Sequence, residues 1–339
     1  MHFGARKIWP PLLLAPMAGL THSALRTTIL AYGGIGLLST EMLSAKRLPS
    51  ESAQHSPYLI RTSEENPLSY QLLLADEHAV LPAIDALHRL QADAIDLNLG
   101  CPAPHIRKSG AGSALMDKPD LVARIVAKVR QCTTLPLSAK IRLDVSENSI
   151  KLQNFCRMLE GEGIDLITVH ARLSDEPFSR RPRWHWLSKI KKWVRLPIVA
   201  NGSIDSVSSA RVCLEQSGAD GLMIGRKAAI APWIFAEIAK EVYGEKLELP
   251  EISLPKAYQH LANALATHFP AERRLGRLKE FTHYFAKNYP FGHHLASQVQ
   301  ASMTFQQAWQ RAALFFLQHD TEQATKAFPD YHKSTAAII

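Results

Sequence analysis

Long apolar runs are missing from this sequence. No stretch approaches the roughly 18 consecutive apolar residues that a membrane-spanning helix needs, so no membrane span is expected. The basic start, MHFGARKIWPPLLLAP, holds only a short apolar stretch that Pro10 and Pro11 interrupt, and no small-residue cleavage site follows it. No signal peptide is therefore predicted, and the cytoplasm is the expected location.

Cysteine is also scarce. The four cysteines are too few and too scattered to form a disulfide framework, and no CxxC pair suggests zinc or an iron–sulfur cluster. No metal site is predicted. Charged residues make up only 21% of the chain against 46% hydrophobic residues, which excludes a disordered chain.

Positive charge is in excess. The 339 residues carry a formal net charge of +8, and the isoelectric point is near 9.3. This balance indicates a polyanionic partner, nucleic acid above all. A generally basic protein without such a partner is the alternative.

Short apolar, β-branched runs alternate with helical patterns over about the first 245 residues. Such alternation indicates a parallel sheet, and eight repeats favour a (β/α)8 TIM barrel over an open doubly wound sheet. Polar or special residues follow nearly every run, as expected where strand ends meet in one rim. The predicted strands are Leu12–Ala15, Ile35–Leu38, Ser69–Leu73, Ala94–Leu97, Leu137–Ile141, Leu166–Val169, Ile198–Ala200 and Leu222–Ile224.

The pattern changes near residue 250, where Pro250 and Pro255 bracket a linker-like stretch. Residues 256–268, 272–288 and 304–318 show helical periodicity, and no strand alternation remains. We therefore expect a barrel domain over residues 1–245 and a small all-α domain over residues 250–339.

A cysteine in a tight turn is the sharpest local feature. Cys101 lies in Asn98-Leu99-Gly100-Cys101-Pro102, just past the fourth predicted strand. A thiol presented at a barrel rim can act as nucleophile or proton donor, whereas a small buried thiol is the alternative. Gln71 ends the third strand, and its amide can both donate and accept hydrogen bonds, which suits a flavin or pyrimidine edge.

Two neighbouring strands carry cations and a histidine at the same spacing. Lys140 and Arg142 are two residues apart, as are His170 and Arg172, so each pair shares one face of its strand. A lysine inside a barrel is costly unless it meets an anion, and this favours an anionic ligand. Solvated charges at the strand ends are the alternative.

The seventh and eighth predicted strands are followed by glycines, at the place where barrels commonly bind phosphate. Asn201-Gly202-Ser203 and Gly225-Arg226 supply close-approaching backbone N–H groups and a guanidinium. The two motifs together predict a phosphate site.

Basic residues cluster in two further segments. Between Arg172 and Arg195 they are interleaved with tryptophans, and Arg273, Arg274, Arg277 and Lys279 form a second cluster. Basic groups serve phosphates and exposed rings stack on bases. A solvated helix face is the alternative, and we expect Trp186 and Trp193 to pack inward.

Seven motifs, in order and spacing, resemble those of the tRNA-dihydrouridine synthases over roughly residues 10–240. They are Ala-Pro-Met-Ala-Gly at 15–19, Asn-Leu-Gly-Cys-Pro at 98–102, Lys-Ser-Gly-Ala-Gly-Ser-Ala-Leu at 108–115, Lys-Ile-Arg at 140–142, Thr-Val-His-Ala-Arg at 168–172, Val-Ala-Asn-Gly at 199–202 and Met-Ile-Gly-Arg at 223–226. The segment 276–281, GRLKEF, with Tyr284 resembles the C-type branch, which modifies position 16 of the D-loop. Ala18 and the loop at 173–183 depart from the family pattern.

The resemblance implies FMN as cofactor, NADPH as reductant, tRNA as partner, and reduction of a D-loop uridine to 5,6-dihydrouridine. It implies Cys101 as the general acid and Asn98 and Arg142 as residues that face the uridine, with Arg277 and Lys279 on the helical tRNA-recognition domain. The cofactor residues that it implies are Pro16, Met17, Ala18, Gln71, Lys140, His170, Asn201, Gly202, Ser203, Gly225 and Arg226.

Other functions stay open on the sequence. An FMN barrel that reduces a small pyrimidine-like substrate would not need the basic helical region, and a Schiff-base aldolase using Lys140 would not need the Cys-Pro turn. No protein partner is implied, so a monomer is expected.

Overall fold

A closed barrel of eight parallel strands forms the body of the molecule. The computed structural model describes residues 1–52, 54–143 and 148–320. After a hairpin of β1 (His2–Phe3) and β2 (Arg6–Lys7), the barrel strands are β3 (Leu12–Leu14), β4 (Leu38–Ser44), β5 (Leu68–Leu73), β6 (Ala94–Asn98), β7 (Leu137–Leu143), β8 (Leu166–Leu173), β9 (Ile198–Asn201) and β10 (Gly221–Ile224).

The strand order decides between the barrel and the open sheet. The strands follow one another as β3-β10-β9-β8-β7-β6-β5-β4. A parallel bridge between Leu13 and Leu37 then joins the two ends of this order. The sheet is closed, and the predicted TIM barrel is confirmed.

Helices surround the barrel and continue past its last strand. Most apolar faces of the outer helices are buried against the strands, as in Val122, Ile125 and Val129 of one helix. The helices are α1 (Ser23–Leu30), α2 (Val80–Arg89), α3 (Pro104–Lys108), α4 (Pro119–Cys132), α5 (Ser149–Gly161), α6 (His185–Trp193), α7 (Val207–Ser217), α8 (Arg226–Ile230), α9 (Ile234–Tyr243), α10 (Leu254–His268), α11 (Ala271–Phe285), α12 (Gly292–Gln300) and α13 (Phe305–His319).

The second barrel strand differs from its prediction. The apolar run Ile35–Leu38 was expected to form it, but β4 runs from Leu38 to Ser44. Gly33 and Gly34, both at positive φ, hold the chain in a turn before the strand. Polar Thr40 and Glu41 therefore lie buried within β4 rather than beyond its end. The sequence pattern missed this because buried polar residues do not show an apolar periodicity.

The lower end of the barrel is closed by the N-terminal hairpin. Phe3 and Ile8 are buried and pack with Leu13, Leu166 and Val199, which point into the barrel interior. This apolar plug fills the amino-terminal half of the barrel. The opposite end of the barrel, at the carboxyl ends of the strands, is where barrel enzymes have their active sites.

The last helices, α10–α13, pack around Tyr258. Its ring contacts those of Phe281, Phe285 and Phe316 at centroid distances of 5.8, 5.6 and 5.1 Å. Three of these helices were predicted, while α12, with Gly292 and two adjacent histidines near its start, was missed. The helices dock on the barrel through α10 against α1. The division at residues 245–250 stays a prediction, and residues 321–339 of the predicted domain lie outside the described residues.

Among the described residues, no helix is both long and apolar enough to span a membrane.

Candidate active site

A cavity of about 340 Å³ opens at the carboxyl end of the barrel. Volumes of this order are typical of small-molecule sites. The lining comes from the ends of β3–β10, from the loops that follow them and from the helical region. It includes Ala15, Pro16, Met17, Met42, Gln71, Asn98, Cys101, Lys140, Arg142, His170, Arg172, Phe178, Asn201, Gly202, Ser203, Asp205, Met223, Gly225, Arg226, Lys227 and Lys287.

The Cys101 turn is held by the last residue of β6. The Asn98 Oδ1 atom accepts the backbone N–H of Cys101 at 3.0 Å and that of Gly100 at 3.3 Å. Gly100 passes so close to β7 that a Cβ atom would lie 2.9 Å from the carbonyl carbon of Ile141. Only glycine fits this approach. The turn therefore presents the half-buried Cys101 side chain to the cavity.

A buried polar chain continues below this turn. The Asn98 Nδ2 atom donates to Gln71 Oε1 at 2.8 Å, and Gln71 Nε2 donates to Asp96 Oδ2 at 2.6 Å. Ser138 Oγ donates to the other oxygen of Asp96, also at 2.6 Å. The chain links β5, β6 and β7 at the floor of the cavity.

Lys140 crosses the cavity from β7 to β9. Its Nζ donates to Asn201 Oδ1 at 3.1 Å, while Asn201 Nδ2 donates to the Met223 carbonyl at 2.8 Å. Burial lowers the pKa of Lys140 to about 8, and the nearby Asp96 carboxylate opposes this shift. The lysine thus remains a cation near neutral pH and can be titrated within the range of an enzyme assay.

His170 is neutral, and its tautomer is fixed by its neighbour. Burial, and then the charges of Lys140, Arg142, Arg172 and Arg226, lower the pKa of His170 far below its usual value. Arg172 Nη1 lies 2.9 Å from His170 Nε2. Since a guanidinium only donates, Nε2 accepts and the imidazole proton resides on Nδ1.

Arg172 itself is buried and held in place. It donates to Ser203 Oγ at 2.6 Å and to the Arg180 carbonyl at 2.6 Å. Ser203 (φ +51°) and Gly202 (φ +117°) both adopt positive φ. A Cβ at Gly202 would lie 2.9 Å from His170 Cδ2, so the backbone here approaches the cavity wall closely.

The electrostatics of the cavity favour an anion. Six cationic side chains line it, and Asp205 is the carboxylate among the described lining residues. Arg226 follows Gly225 at the start of α8. Cations without matching carboxylates are stabilised when a phosphate or similar anion binds. The cationic lining residues are Lys140, Arg142, Arg172, Arg226, Lys227 and Lys287.

Most predicted site residues meet in this cavity, and three do not. Ala18 is exposed and lines a neighbouring cleft of about 670 Å³ between β4 and α11. Arg277 lines that cleft too, while Lys279 lines neither space. The roles of all predicted residues stay predictions.

Arg277 points toward the barrel rather than outward. Its guanidinium lies over the rings of Phe269 and Tyr58, 5.1 and 5.7 Å from their centroids. The Nη2 atom lies 4.0 Å from Glu41 Oε1, and only 11% of the Arg277 side chain is exposed. Arg277 belongs to the basic cluster that the sequence predicted for tRNA contact, and in the structure it joins the helical region to β4.

Sequence reasoning missed several residues in and around the site, among them Asp96, Phe178 and Lys287. Asp96 had no signal because it lies inside an apolar strand. Phe178 stands in the β8–α6 loop with its ring stacked on His170 at 5.8 Å and under the Arg226 guanidinium at 4.6 Å. Lys287 belongs to a 3-10 turn after α11, so the helical region contributes directly to the cavity.

The basic segment after β8 divides into buried and exposed parts. Trp186 is buried in α6, and Trp193 packs against the core, as predicted. Arg183 pairs with Glu176, with Nη2 2.7 Å from Oε1. Arg180 and Arg181 are exposed. Because they are exposed, these two arginines are the segment's candidates for phosphate contact.

Comparison with known sequences shows one family. The family model described as dihydrouridine synthase matches residues 13–332. A probable tRNA-dihydrouridine synthase 1 from Synechocystis sp. is 29% identical over 306 residues, which cover 88% of this chain and 84% of that protein. The tRNA-dihydrouridine synthase B of Shewanella oneidensis is 35% identical over 238 residues, covering 70% of this chain and 74% of that protein.

Comparison with solved structures shows the fold. A 2-naphthoyl-CoA reductase superposes with a TM-score of 0.56 at 11% identity, covering 72% of this chain and 52% of that one. An old yellow enzyme homologue from Zymomonas mobilis superposes with a TM-score of 0.53 at 11% identity, covering 74% of this chain and 94% of that one.

Proposed function

The chain belongs to the dihydrouridine synthase family, whose enzymes reduce uridine in tRNA with a flavin, and we propose that its barrel cavity is where this chain carries out that reaction. One observation carries the proposal. The cavity brings Cys101, Lys140 and a phosphate-type cluster of cations together at the mouth of one barrel. A thiol, an ammonium group and an anion site suit the flavin-dependent reduction of a pyrimidine.

The residues present fit FMN. Gly202, Ser203, Gly225 and Arg226 would hold its phosphate, with Arg172 supported behind them by Ser203. The apolar wall of Ala15, Pro16, Met17, Met42 and Met223 suits the flat ring. Gln71, Lys140 and His170 stand along the polar side of the same space. When bound, FMN supplies the hydride that reduces C6 of the uracil.

Cys101 supplies the proton that the uracil takes up, and Lys140 supplies a positive charge on the flavin side of the cavity. Cys101 would donate its thiol proton to C5 of the uracil. The Lys140 ammonium stabilises negative charge that develops on the flavin side of the cavity. Asn98 and Arg142 line the cavity beside Cys101 and would face the uracil.

The substrate's position in a folded RNA sets a further requirement. A stacked base cannot reach a barrel mouth, so the enzyme must flip the uridine out of the RNA, and phosphate contacts offset this cost of a few kcal/mol. The net charge of +8 and the exposed Arg180 and Arg181 suit such contacts. We also propose NADPH as reductant, a cytoplasmic monomer as the working form, and tRNA recognition by α10–α13. The C-type branch and position 16 stay predictions.

The test uses the purified full chain. We expect a flavin absorbance band, release of FMN on denaturation, and NADPH-dependent conversion of uridine in an unmodified tRNA transcript, detected by nucleoside mass spectrometry. Free uridine and uracil at the same concentration are the matched controls. Faster reduction of a free pyrimidine than of the transcript would favour the small-molecule alternative, and a colourless protein that binds no FMN would contradict both.

A further inference from the structure

The polar chain under the cavity has a single direction. Every donor in it points toward Asp96: the Ser138 hydroxyl donates to Oδ1 and the Gln71 amide to Oδ2. The Asn98 amide donates to Gln71, and the backbone N–H of Cys101 donates to Asn98. The chain thus begins at the Cys101 turn and ends on a buried carboxylate.

The direction matters because each amide has one accepting and one donating end. If Asn98 turned over, its NH2 group would face the Cys101 N–H, and the turn would lose its acceptor. If Gln71 turned over, its NH2 group would face that of Asn98. A carboxylate only accepts, so Asp96 permits one arrangement of both amides. Burial raises the pKa of Asp96, and the bonds from Ser138 and Gln71 oppose that shift.

We propose that Asp96 is a positioning residue of this active site: it is the acceptor that fixes which way Gln71 and Asn98 point and thereby holds Cys101 at the cavity. The inference rests on the proposed function, in which Cys101 is the proton donor and Gln71 faces the flavin. Asp96 is 4% exposed and, in the part of the chain that the structure describes, lies below the residues that line the cavity. It acts through the two amides.

Ser138 allows the role of Asp96 in setting the direction of the amides to be tested separately from its negative charge. In Asp96→Asn the side-chain oxygen still accepts from Gln71, and the new NH2 group donates to the Ser138 hydroxyl oxygen. The Ser138 proton then turns to the Ile95 carbonyl, which already lies 3.4 Å away. In the double variant Asp96→Asn/Ser138→Ala the Ser138 hydroxyl oxygen is absent. The introduced NH2 group then finds an acceptor only by turning toward Gln71, and this reverses the direction of the hydrogen-bond chain.

The experiment is a double-mutant cycle with two measurements. The first is the rate of Cys101 alkylation by iodoacetamide, followed by peptide mass spectrometry without tRNA. The second is single-turnover reoxidation of the reduced, FMN-loaded protein by a tRNA transcript. We expect Asp96→Asn and Ser138→Ala each to change both rates by no more than about threefold, and the double variant to change them by about tenfold or more. Circular dichroism and FMN content check that each variant is folded.

Two outcomes overturn the proposal. If Asp96→Asn alone changes the two rates as much as the double variant does, the negative charge of Asp96 is what matters. If the double variant changes the two rates as little as the single variants do, Asp96 does not set the direction of the two amides. If the wild type neither binds FMN nor reduces tRNA, the proposed function fails, yet the alkylation rates still decide the role of Asp96.

A second variant covers the case in which the double variant does not fold. In Gln71→Glu two carboxyl groups face each other. The introduced carboxyl accepts from the Asn98 amide in either protonation state, but it stays bonded to Asp96 only while the pair shares one proton. Lys140 is the other charged group facing this pair. We expect the reoxidation rate of Gln71→Glu to fall as pH rises relative to that of the wild type. A pH profile parallel to the wild type would contradict the proposal.

Discussion

Cys101 is set apart from the other cysteines by what surrounds it. Cys156 and Cys213 are buried in helices, and burial raises the pKa of each to about 12. Cys101 instead lines the cavity in a turn held by Asn98. The thiol's role as proton donor is therefore open to a direct test at the residue scale.

We expect Cys101→Ala to remain folded and yellow but to reduce uridine in tRNA at least about a hundredfold more slowly, because C5 lacks its proton donor. Reduction of the flavin by NADPH, measured by stopped-flow absorbance, should persist. Cys132→Ala, at a half-buried cysteine of α4 away from the cavity, is the matched control. Wild-type tRNA activity in Cys101→Ala would remove this residue from the mechanism.

The lowered pKa of Lys140 predicts that the stability of the protein depends on pH. Its pKa is about 8 in the folded protein and 10.5 when unperturbed, because burial disfavours the charged form. Between these pH values the unfolded chain holds a proton that the folded chain has lost, so the free energy of unfolding rises with pH. Relative to Lys140→Met, the wild type should gain up to about 3 kcal/mol between pH 8 and 10.5.

Urea unfolding of the cofactor-free proteins at several pH values measures this difference. Lys240→Met, at an exposed lysine of α9, is the control for a general loss of charge. Lys140→Met should also bind FMN more weakly, since a cation is lost from the cavity. A difference between wild type and Lys140→Met that stays constant with pH would show that the lysine is not buried as a titrating group.

At the scale of the element, α11 presents two kinds of arginine. Arg273 is exposed, whereas Arg277 packs between Phe269 and Tyr58 near Glu41. An exposed cation is free to meet a phosphate, and each such contact contributes about 0.7 to 0.9 to the steepness of the log–log salt dependence. We expect Arg273→Gln, and Lys279→Gln at a half-buried lysine of the same helix, each to flatten the salt dependence of tRNA binding by about this amount.

Arg277→Gln should behave differently, because Glu41 loses its neighbouring cation in a buried place. We expect a loss of about 1 kcal/mol or more in the free energy of unfolding, whereas Arg273→Gln should change it by less than about 0.5 kcal/mol. Fluorescence anisotropy with labelled tRNA and urea unfolding provide the two measurements. An Arg277→Gln variant of full stability with a flattened salt dependence would instead place this guanidinium on RNA.

At the scale of the whole molecule, His22 lies where the barrel meets the helical region. It precedes α1, is 1% exposed, and stands edge-on to Phe269 at 5.4 Å. Among the described residues neither of its ring nitrogens has a hydrogen-bond partner. Burial, and then the charges of Arg277 and Arg26, lower its pKa well below 6.5. The joint between the two parts of the molecule therefore depends on a neutral histidine.

Acid should destabilise this contact between the barrel and the helical region. Below about pH 6.5 the unfolded chain takes up a proton that the folded chain does not bind, so the free energy of unfolding falls as pH falls. Between about pH 6 and 5 we expect the free energy of unfolding of the wild type to fall more steeply than that of His22→Leu. The difference in slope should be up to about 1.4 kcal/mol per pH unit. His185→Leu, at an exposed histidine, is the control. Equal acid sensitivity of His22→Leu and wild type would contradict this account.

The sequence alone determined the barrel and most of the cavity. Strand alternation is local, and chain order fixes which strand ends meet once a parallel barrel closes. The spacing of Lys140 and Arg142 therefore predicted that both face the cavity, as they do. The Gly-Cys-Pro turn likewise placed Cys101 there, because it directly follows a strand.

Only the tertiary structure decided where side chains point in turns and on helix faces, since those directions depend on partners far along the chain. Gln71 meets Asp96 across 25 positions and Asn98 across 27, so no local pattern contains the polar chain that connects them. Ala18 lines the cleft beside β4, and Arg277 turns inward because Glu41 and two aromatic rings offer it a buried partner. Phe178 contacts His170 and the Arg226 guanidinium from a loop, and tertiary packing rather than periodicity determines these contacts.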